Sequence, residues 1–265
     1  MLRPETSSNW ITLTTDFGLE DWFVGTMKGV IAGIAPKVRV VDLNHGVSPG
    51  DIRAGAFSLA AGFRFFPKGT IHIAIIDPGV GSARRGIVIR TPHFFFVGPD
   101  NGLLSRAVAQ ESSIEVRALE NPSWRLADVS KTFHGRDVFA PAAGHLAAGA
   151  NFNDAGPKVE AWMQLDIPTP QSQSQQVEGA VVYVDRYGNA ITNIPNKGFL
   201  NPAQPADVWV GKKRITRVHE FYQSVAPGKP VCVPGSSGFL EIAVNSGDAA
   251  KRLKLKVGSL VSVRW

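Results

Sequence analysis

Between Trp10 and Ala148 the chain alternates short β-branched runs with segments whose apolar positions recur every three or four residues. Trp10 to Thr14 predicts a strand, and after Asp21 the residues Phe23, Met27, Val30, Ile31 and Ile34 share one helical face. Val38 to Leu43 predicts a second strand. Ser48-Pro49-Gly50-Asp51 then reads as a capping box, with Ser48 as the cap and the acid three positions on, ahead of a helix reaching about Phe65. Thr70 to Ile76 predicts a third strand, and Gly86 to Thr91 with Phe94 to Val97 predicts a hairpin turning through Thr91-Pro92-His93. A helix from about Asp137 to Ala148 closes the region.

Strands alternating with helices predict a Rossmann-like α/β domain with a mostly parallel sheet, assigned to residues 1–165. In such open sheets, ligands bind beyond the carboxyl ends of the strands. The polar clusters fall there: Thr14-Thr15-Asp16, Asn44-His45-Gly46, Asp77 and Pro99-Asp100-Asn101-Gly102. Residues 166–178, with two prolines and the run Gln171-Ser172-Gln173-Ser174-Gln175-Gln176, read as a linker. Beyond it, Ala180 to Val184, Asp207 to Val210, Pro230 to Val233, Phe239 to Val244 and Leu260 to Trp265 are short β-type runs without convincing helices between them. They predict a small all-β, barrel-like domain over residues 179–265.

Composition narrows the functional classes. A single cysteine, Cys232, excludes an intramolecular disulfide framework and suits a reducing, cytoplasmic setting. Residues 1–9 contain no apolar signal core, and no uninterrupted apolar stretch approaches membrane-spanning length. Neither secretion nor a membrane partner is expected. The formal charge of +6 is spread over short groups such as Arg84-Arg85, Lys212-Lys213-Arg214 and Lys251-Arg252, which reads as solvated surface and not as a nucleic-acid site.

Several familiar chemistries are missing. Gly79-Val80-Gly81 lacks the third glycine of a dinucleotide loop, and no phosphate-binding GxxxxGK[ST] motif occurs. Gly235-Ser236-Ser237-Gly238 is not a nucleophile elbow, and the six histidines have no metal-binding spacing, so no cofactor and no metal are expected. What remains is a set of residues with two readings each. Asp77 to Arg84, an acid, a Pro-Gly break and an arginine after an apolar strand, forms either a salt-bridged turn or an active-site rim. His134 is either a helix-start residue bonded to local backbone or a side chain delivered to that rim. Asp16 either caps the next helix or accepts from the two hydroxyls of a ribose. Asp185 to Asn193 is either a hairpin turn on Gly188-Asn189 or a purine site with amides and a ring.

Taken together, the segments resemble the family of adenosine-forming S-adenosylmethionine hydrolases, also described as S-adenosylmethionine hydroxide adenosyltransferases and related to fluorinase and chlorinase. The resemblance covers nearly the whole chain. It is carried by Thr14-Thr15-Asp16-Phe17-Gly18, Ser48-Pro49-Gly50-Asp51-Ile52-Arg53-Ala54-Gly55, the Asp77 to Arg84 run, Gly98-Pro99-Asp100-Asn101-Gly102, His134-Gly135-Arg136-Asp137, Tyr187-Gly188-Asn189 with Thr192-Asn193, and Gly238-Phe239-Leu240-Glu241-Ile242-Ala243-Val244-Asn245. It implies hydrolysis of S-adenosylmethionine to adenosine and methionine, and a homotrimer with sites between subunits. It also implies a catalytic set at Asp77, Arg84 and His134. Asp16 would take the ribose, Asn189 and the stretch Glu241 to Val244 the adenine, and Asp21, Asp185 and Ser236 would lie near the methionine portion. The halogenating relatives carry a tyrosine in place of Asp77 and an extra loop in the amino-terminal domain, so the resemblance points to water as nucleophile. Where the family pattern has phenylalanine before Gly-Asn, this chain has Tyr187. Halide transfer and ligand sensing without catalysis are the alternative functions.

Overall fold

Apolar runs interrupted by few charges make the central strands of the first unit, because a strand covered on both faces has no solvent side to mark with polar residues. The computed structural model describes residues 9–173, 175–197 and 206–265. The chain divides into two units, Met1–Leu165 and Asp166–Trp265. In the first, β1 (Trp10–Thr15), α1 (Phe23–Ile34), β2 (Arg39–Asn44), α2 (Ile52–Gly62), β3 (Ile71–Ile75), β4 (Gly86–Arg90) and β5 (Phe95–Pro99) follow in order. They are succeeded by α3 (Ser105–Val108), β6 (Glu115–Ala118) and α4 (Ala140–Ala147), and the last is preceded by a π-helical turn, Gly135–Phe139. The sheet order is β2-β1-β3-β5-β4-β6. The first four strands run parallel, while β4 pairs antiparallel with both β5 and β6, so the sheet is mixed.

Helices cover both faces. Met27 and Ile31 of α1 pack with Ala142 of α4 on Ile11, Leu13 and Ile73, whereas Leu59 and Ala60 of α2 pack on the opposite face with Ala74, Ile76 and Phe96. Two features differ from the sequence pattern. The cap of α2 is Asp51, whose carboxylate accepts from the Ala54 amide at 2.9 Å, and not Ser48, which lies too far ahead of the first helical turn. The strand β6 is short and pairs only at the sheet edge, which left no periodic signal to read.

Among the described residues, the strands of the second unit pair antiparallel with one another. Its strands are β7 (Gln171–Gln173), β8 (Gln176–Val184), β9 (Ala190–Pro195), β10 (Asp207–Val210), β11 (Lys213–Arg217), β12 (Pro230–Pro234), β13 (Phe239–Val244) and β14 (Leu260–Arg264). They run β11-β10-β14-β8-β9-β13-β12, with β7 added on β8. A bridge between Val218 and Cys232, and a bond from the His219 amide to the Cys232 carbonyl at 2.7 Å, bring the two ends of this path together into a near-barrel. The stretch expected to be a linker therefore contains β7 and the start of β8; main-chain pairing needs no apolar side chains, and its Ser174 lies outside the described residues. A short helix, α5 (Ala249–Leu253), interrupts the run of strands, capped by Asp248. Residues 1–8, where no secretion signal is expected, also lie outside the described residues. Among those described, no helix is long and apolar enough to cross a membrane.

One buried polar group stands out in the first core. His72 on β3 has no exposed surface, bonds through Nδ1 to Thr12 Oγ1 at 2.7 Å, and is ringed by Phe63, Phe66, Phe94 and Phe96. Burial pulls its pKa from 6.5 down to about 3. The unfolded chain takes up this proton below its ordinary pKa, while the folded protein refuses it until far lower pH. The resulting stabilisation is full above that ordinary value and is lost as pH falls towards the folded one. At pH 5 the loss amounts to about 2 kcal/mol. Native-state hydrogen exchange of the β1 and β3 amides should show wild type losing that much more stability than His72→Asn between pH 7.5 and 5.

Candidate functional site

Asp77 leaves the carboxyl end of β3 and meets Arg84 at the far side of a tight loop. The arginine donates Nε–H to one carboxylate oxygen at 3.0 Å and Nη2–H to the other, a two-pronged pair whose side chains are only 5% and 11% exposed. The same Nη2 approaches Nδ1 of His134 at 2.8 Å. A guanidinium can only donate, so Nδ1 presents its lone pair and the neutral ring carries its proton on Nε2. Burial, and then the Arg84 charge, hold the imidazole below its ordinary pKa, against opposing contributions from Asp77 and Asp137. Phe139 places its ring 5.3 Å from the guanidinium carbon and closes its underside.

Local sequence explains why these groups meet. Gly81 adopts φ +77°, and a Cβ there would stand 2.2 Å from the Lys131 carbonyl oxygen, so only glycine lets this loop lie against the segment leading to His134. That segment folds around its own acid. Asp137 is fully buried and accepts from the Ser130 amide at 2.8 Å and from Arg136 Nε at 2.6 Å. Asn101, from the loop after β5, donates to the Ile76 carbonyl at 2.8 Å and ties a second strand end to the same edge. The Asp77 run is therefore a salt-bridged turn, and its ion pair stands beyond the carboxyl end of β3, where the rim reading needs it. His134 makes no side-chain cap bond, and its ring turns to Arg84.

Asp16 follows β1, whose Thr15 pairs in register with Ile75 of β3, so Asp16 and Asp77 leave neighbouring strand ends. Its carboxylate accepts from the Gly50 amide at 2.8 Å, and the helix after it has no side-chain cap, which removes the capping reading. Asp21 is exposed on the same connection.

The second unit gathers another set. Asp185, Tyr187, Asn189, Tyr222, Ser236 and Glu241 line an open cavity of about 850 Å³, a volume that suits a small ligand. The β8–β9 turn is built by Asp185, whose Oδ1 accepts from the amides of Tyr187 and Asn189 at 2.9 and 2.8 Å and whose Oδ2 accepts from Asn189 Nδ2 at 3.0 Å. Gly188 sits there at φ +82° with Asp248 where a Cβ would be. Glu241 is buried and accepts from the Tyr222 hydroxyl at 2.5 Å. Burial raises its pKa; the tyrosine bond opposes this, and the nearby Asp185 adds to it. Val244 is buried on the same strand, and Ser236 lies exposed in the β12–β13 turn. Sequence reasoning missed Phe221, Tyr222 and Gln223 of this lining and gave Asn245 no role, because Tyr222 and Gln223 stand in a single short 3-10 turn without periodicity. Among the described residues, no group of three or more histidine, cysteine, aspartate or glutamate side chains is placed to hold a metal ion.

Residues 11–156 match the SAM hydroxide adenosyltransferase N-terminal domain, and residues 179–262 match the C-terminal domain of the same family. The chain belongs to the SAM hydroxide adenosyltransferase family. Within it, the (R)-S-adenosyl-L-methionine hydrolase of Salinispora tropica is 41% identical over 257 residues, covering 96% of this chain and 97% of the relative. A fluorinase of an Actinoplanes species is more distant, 27% identical over 294 aligned positions covering 98% and 99% of the two chains. Since this family member has 265 residues, the fluorinase carries insertions relative to it. An uncharacterised conserved protein of Thermotoga maritima has a crystal structure that superposes with a TM-score of 0.90 at 35% identity, covering 96% of this chain and all of the other.

The proton balance of His134 gives a direct check on this geometry. Removing the guanidinium takes away a cation that disfavours imidazolium and leaves Asp77, which favours it. Histidine NMR titration of Arg84→Met should show the His134 pKa rising above its wild-type value; a fall would contradict the arrangement.

Proposed function

We propose that the protein hydrolyses S-adenosyl-L-methionine to adenosine and L-methionine, by in-line attack of water or hydroxide on the ribose C5′. The reading is carried by the half-buried Asp77–Arg84–His134 cluster in a chain about two-fifths identical, over nearly its whole length, to an (R)-S-adenosyl-L-methionine hydrolase. A sulfonium leaves as a neutral thioether, so nothing has to protonate it. The protein's task is to place the nucleophile and bias its proton, and alignment alone can contribute several kcal/mol. In this reading Asp77 and His134 hold the water, while Arg84 fixes the Asp77 carboxylate and stabilises developing hydroxide character. Asp16 takes the ribose hydroxyls, Asn189 with Glu241 and Val244 the adenine, and Asp21, Asp185 and Ser236 the methionine portion. No cofactor is required by this chemistry.

The same cluster favours water over halide. A halide must shed its hydration shell and find positive charge. Here the cationic face of Arg84 is already engaged by Asp77 and His134, and the carboxylate would repel the anion. We further propose that the functional form is a cytoplasmic homotrimer with sites between subunits. Asp77→Asn should bind adenosine while losing roughly 100-fold or more in turnover, an effect of the size seen when an oriented catalytic group is removed. Product analysis with and without chloride or fluoride should give adenosine in both cases; near-wild-type turnover by the variant, or a 5′-halo-adenosine, would refute the assignment.

A further inference from the structure

His45 is a buried histidine at the carboxyl edge of the first sheet that the proposed chemistry leaves unused. Its Nδ1 lies 2.7 Å from Thr15 Oγ1, and its own backbone carbonyl accepts from the Gly18 amide at 2.9 Å. Thr15 Oγ1 in turn accepts from the Phe17 amide at 3.1 Å. On the other side of the ring, Nε2 stands 3.0 Å from Asp42 Oδ1, bent away from ideal alignment, and Asp42 Oδ2 receives Lys28 Nζ at 2.7 Å.

In the neutral ring these contacts share one polarity. With the ring proton on Nε2, facing the Asp42 carboxylate, Nδ1 is bare to accept the Thr15 hydroxyl proton, and the hydroxyl oxygen then takes the Phe17 N–H. An Asp-His-Thr order resembles a nucleophile's activating relay. Thr15, however, has no exposed surface and its oxygen is committed to main chain, so no substrate carbon can reach it. What the relay does instead is fix the residues on either side of Asp16. Thr15 and Phe17 are bonded to each other, Gly18 is bonded to His45, and the Asp16 carboxylate between them is aimed by the Gly50 amide.

We propose that His45, acting through Thr15, is a positioning residue that sets the Asp16 carboxylate for the hydroxyl groups of a bound ribose. The inference rests on the ribose role given to Asp16 above. It assigns work to a buried side chain at the end of β2.

The test uses three variants of the full chain. His45→Leu removes the Thr15 partner. His45→Asn retains a polar atom near the Nδ1 position, and Asp16→Asn removes the carboxylate being positioned. Against S-adenosyl-L-methionine, His45→Leu should raise KM about tenfold with kcat within about twofold, because a lost ground-state contact shows in KM. His45→Asn should restore most of that loss, and His45→Leu should add nothing in the Asp16→Asn background. Without ligand, the Phe17 amide should exchange about tenfold faster in His45→Leu than in wild type, as expected for an opened local bond. An unchanged Phe17 amide, an effect confined to kcat, or an undiminished effect in the Asp16→Asn background would each overturn the proposal. Absence of turnover and of adenosine binding in wild type would instead refute the functional reading, and the exchange measurement would still decide the clamp.

Discussion

The arrangement of the first unit turns on one ion pair whose side chains are largely withdrawn from water. Taking a carboxylate and a guanidinium out of water costs several kcal/mol each, and a pair this enclosed persists only when its remaining donors and acceptors are met. Arg84 meets that condition by sharing Nη2 between Asp77 and His134 and by resting on Phe139. The consequence runs outwards. The loop that carries the pair needs glycine at position 81, the facing segment needs Asp137 buried beneath it, and the end of β3 is tied down by Asn101. A stability argument alone would favour an apolar replacement for such a cluster. Its presence at a strand end is what a site built for charge would show.

The two units contribute different chemistry. The first offers fixed charges at adjacent parallel strand ends, held by backbone geometry that leaves little freedom. The second offers a cavity with aromatic rings, three side-chain amides and two carboxyl groups, one of them in a bond with a tyrosine hydroxyl.

Much of the first unit was legible in the sequence, because buried parallel strands and amphipathic helices write strong patterns. Phe23, Met27, Val30, Ile31 and Ile34 mark α1 unmistakably, and the polar clusters sit where the strands end. What escaped was determined by contacts distant in sequence or by backbone pairing alone. Asp51 displaces Ser48 as the α2 cap because of where the helix actually starts. The Gln-Ser run joins a sheet through its main chain, which composition cannot reveal. Tyr222 enters the cavity through its bond to Glu241, a partner on β13 nineteen residues away. The resemblance to the family supplied the grouping of Asp77, Arg84 and His134; the residue pattern by itself left each of them with a structural reading as well.

The central claim is that water attacks carbon at C5′ and that methionine departs intact. Turnover of S-adenosyl-L-methionine in oxygen-18 water examines that bond directly, with mass spectrometry of both products. The account predicts one labelled oxygen in the 5′-hydroxyl of adenosine and none in methionine. Unlabelled adenosine, or a product cleaved elsewhere such as methylthioadenosine, would contradict it.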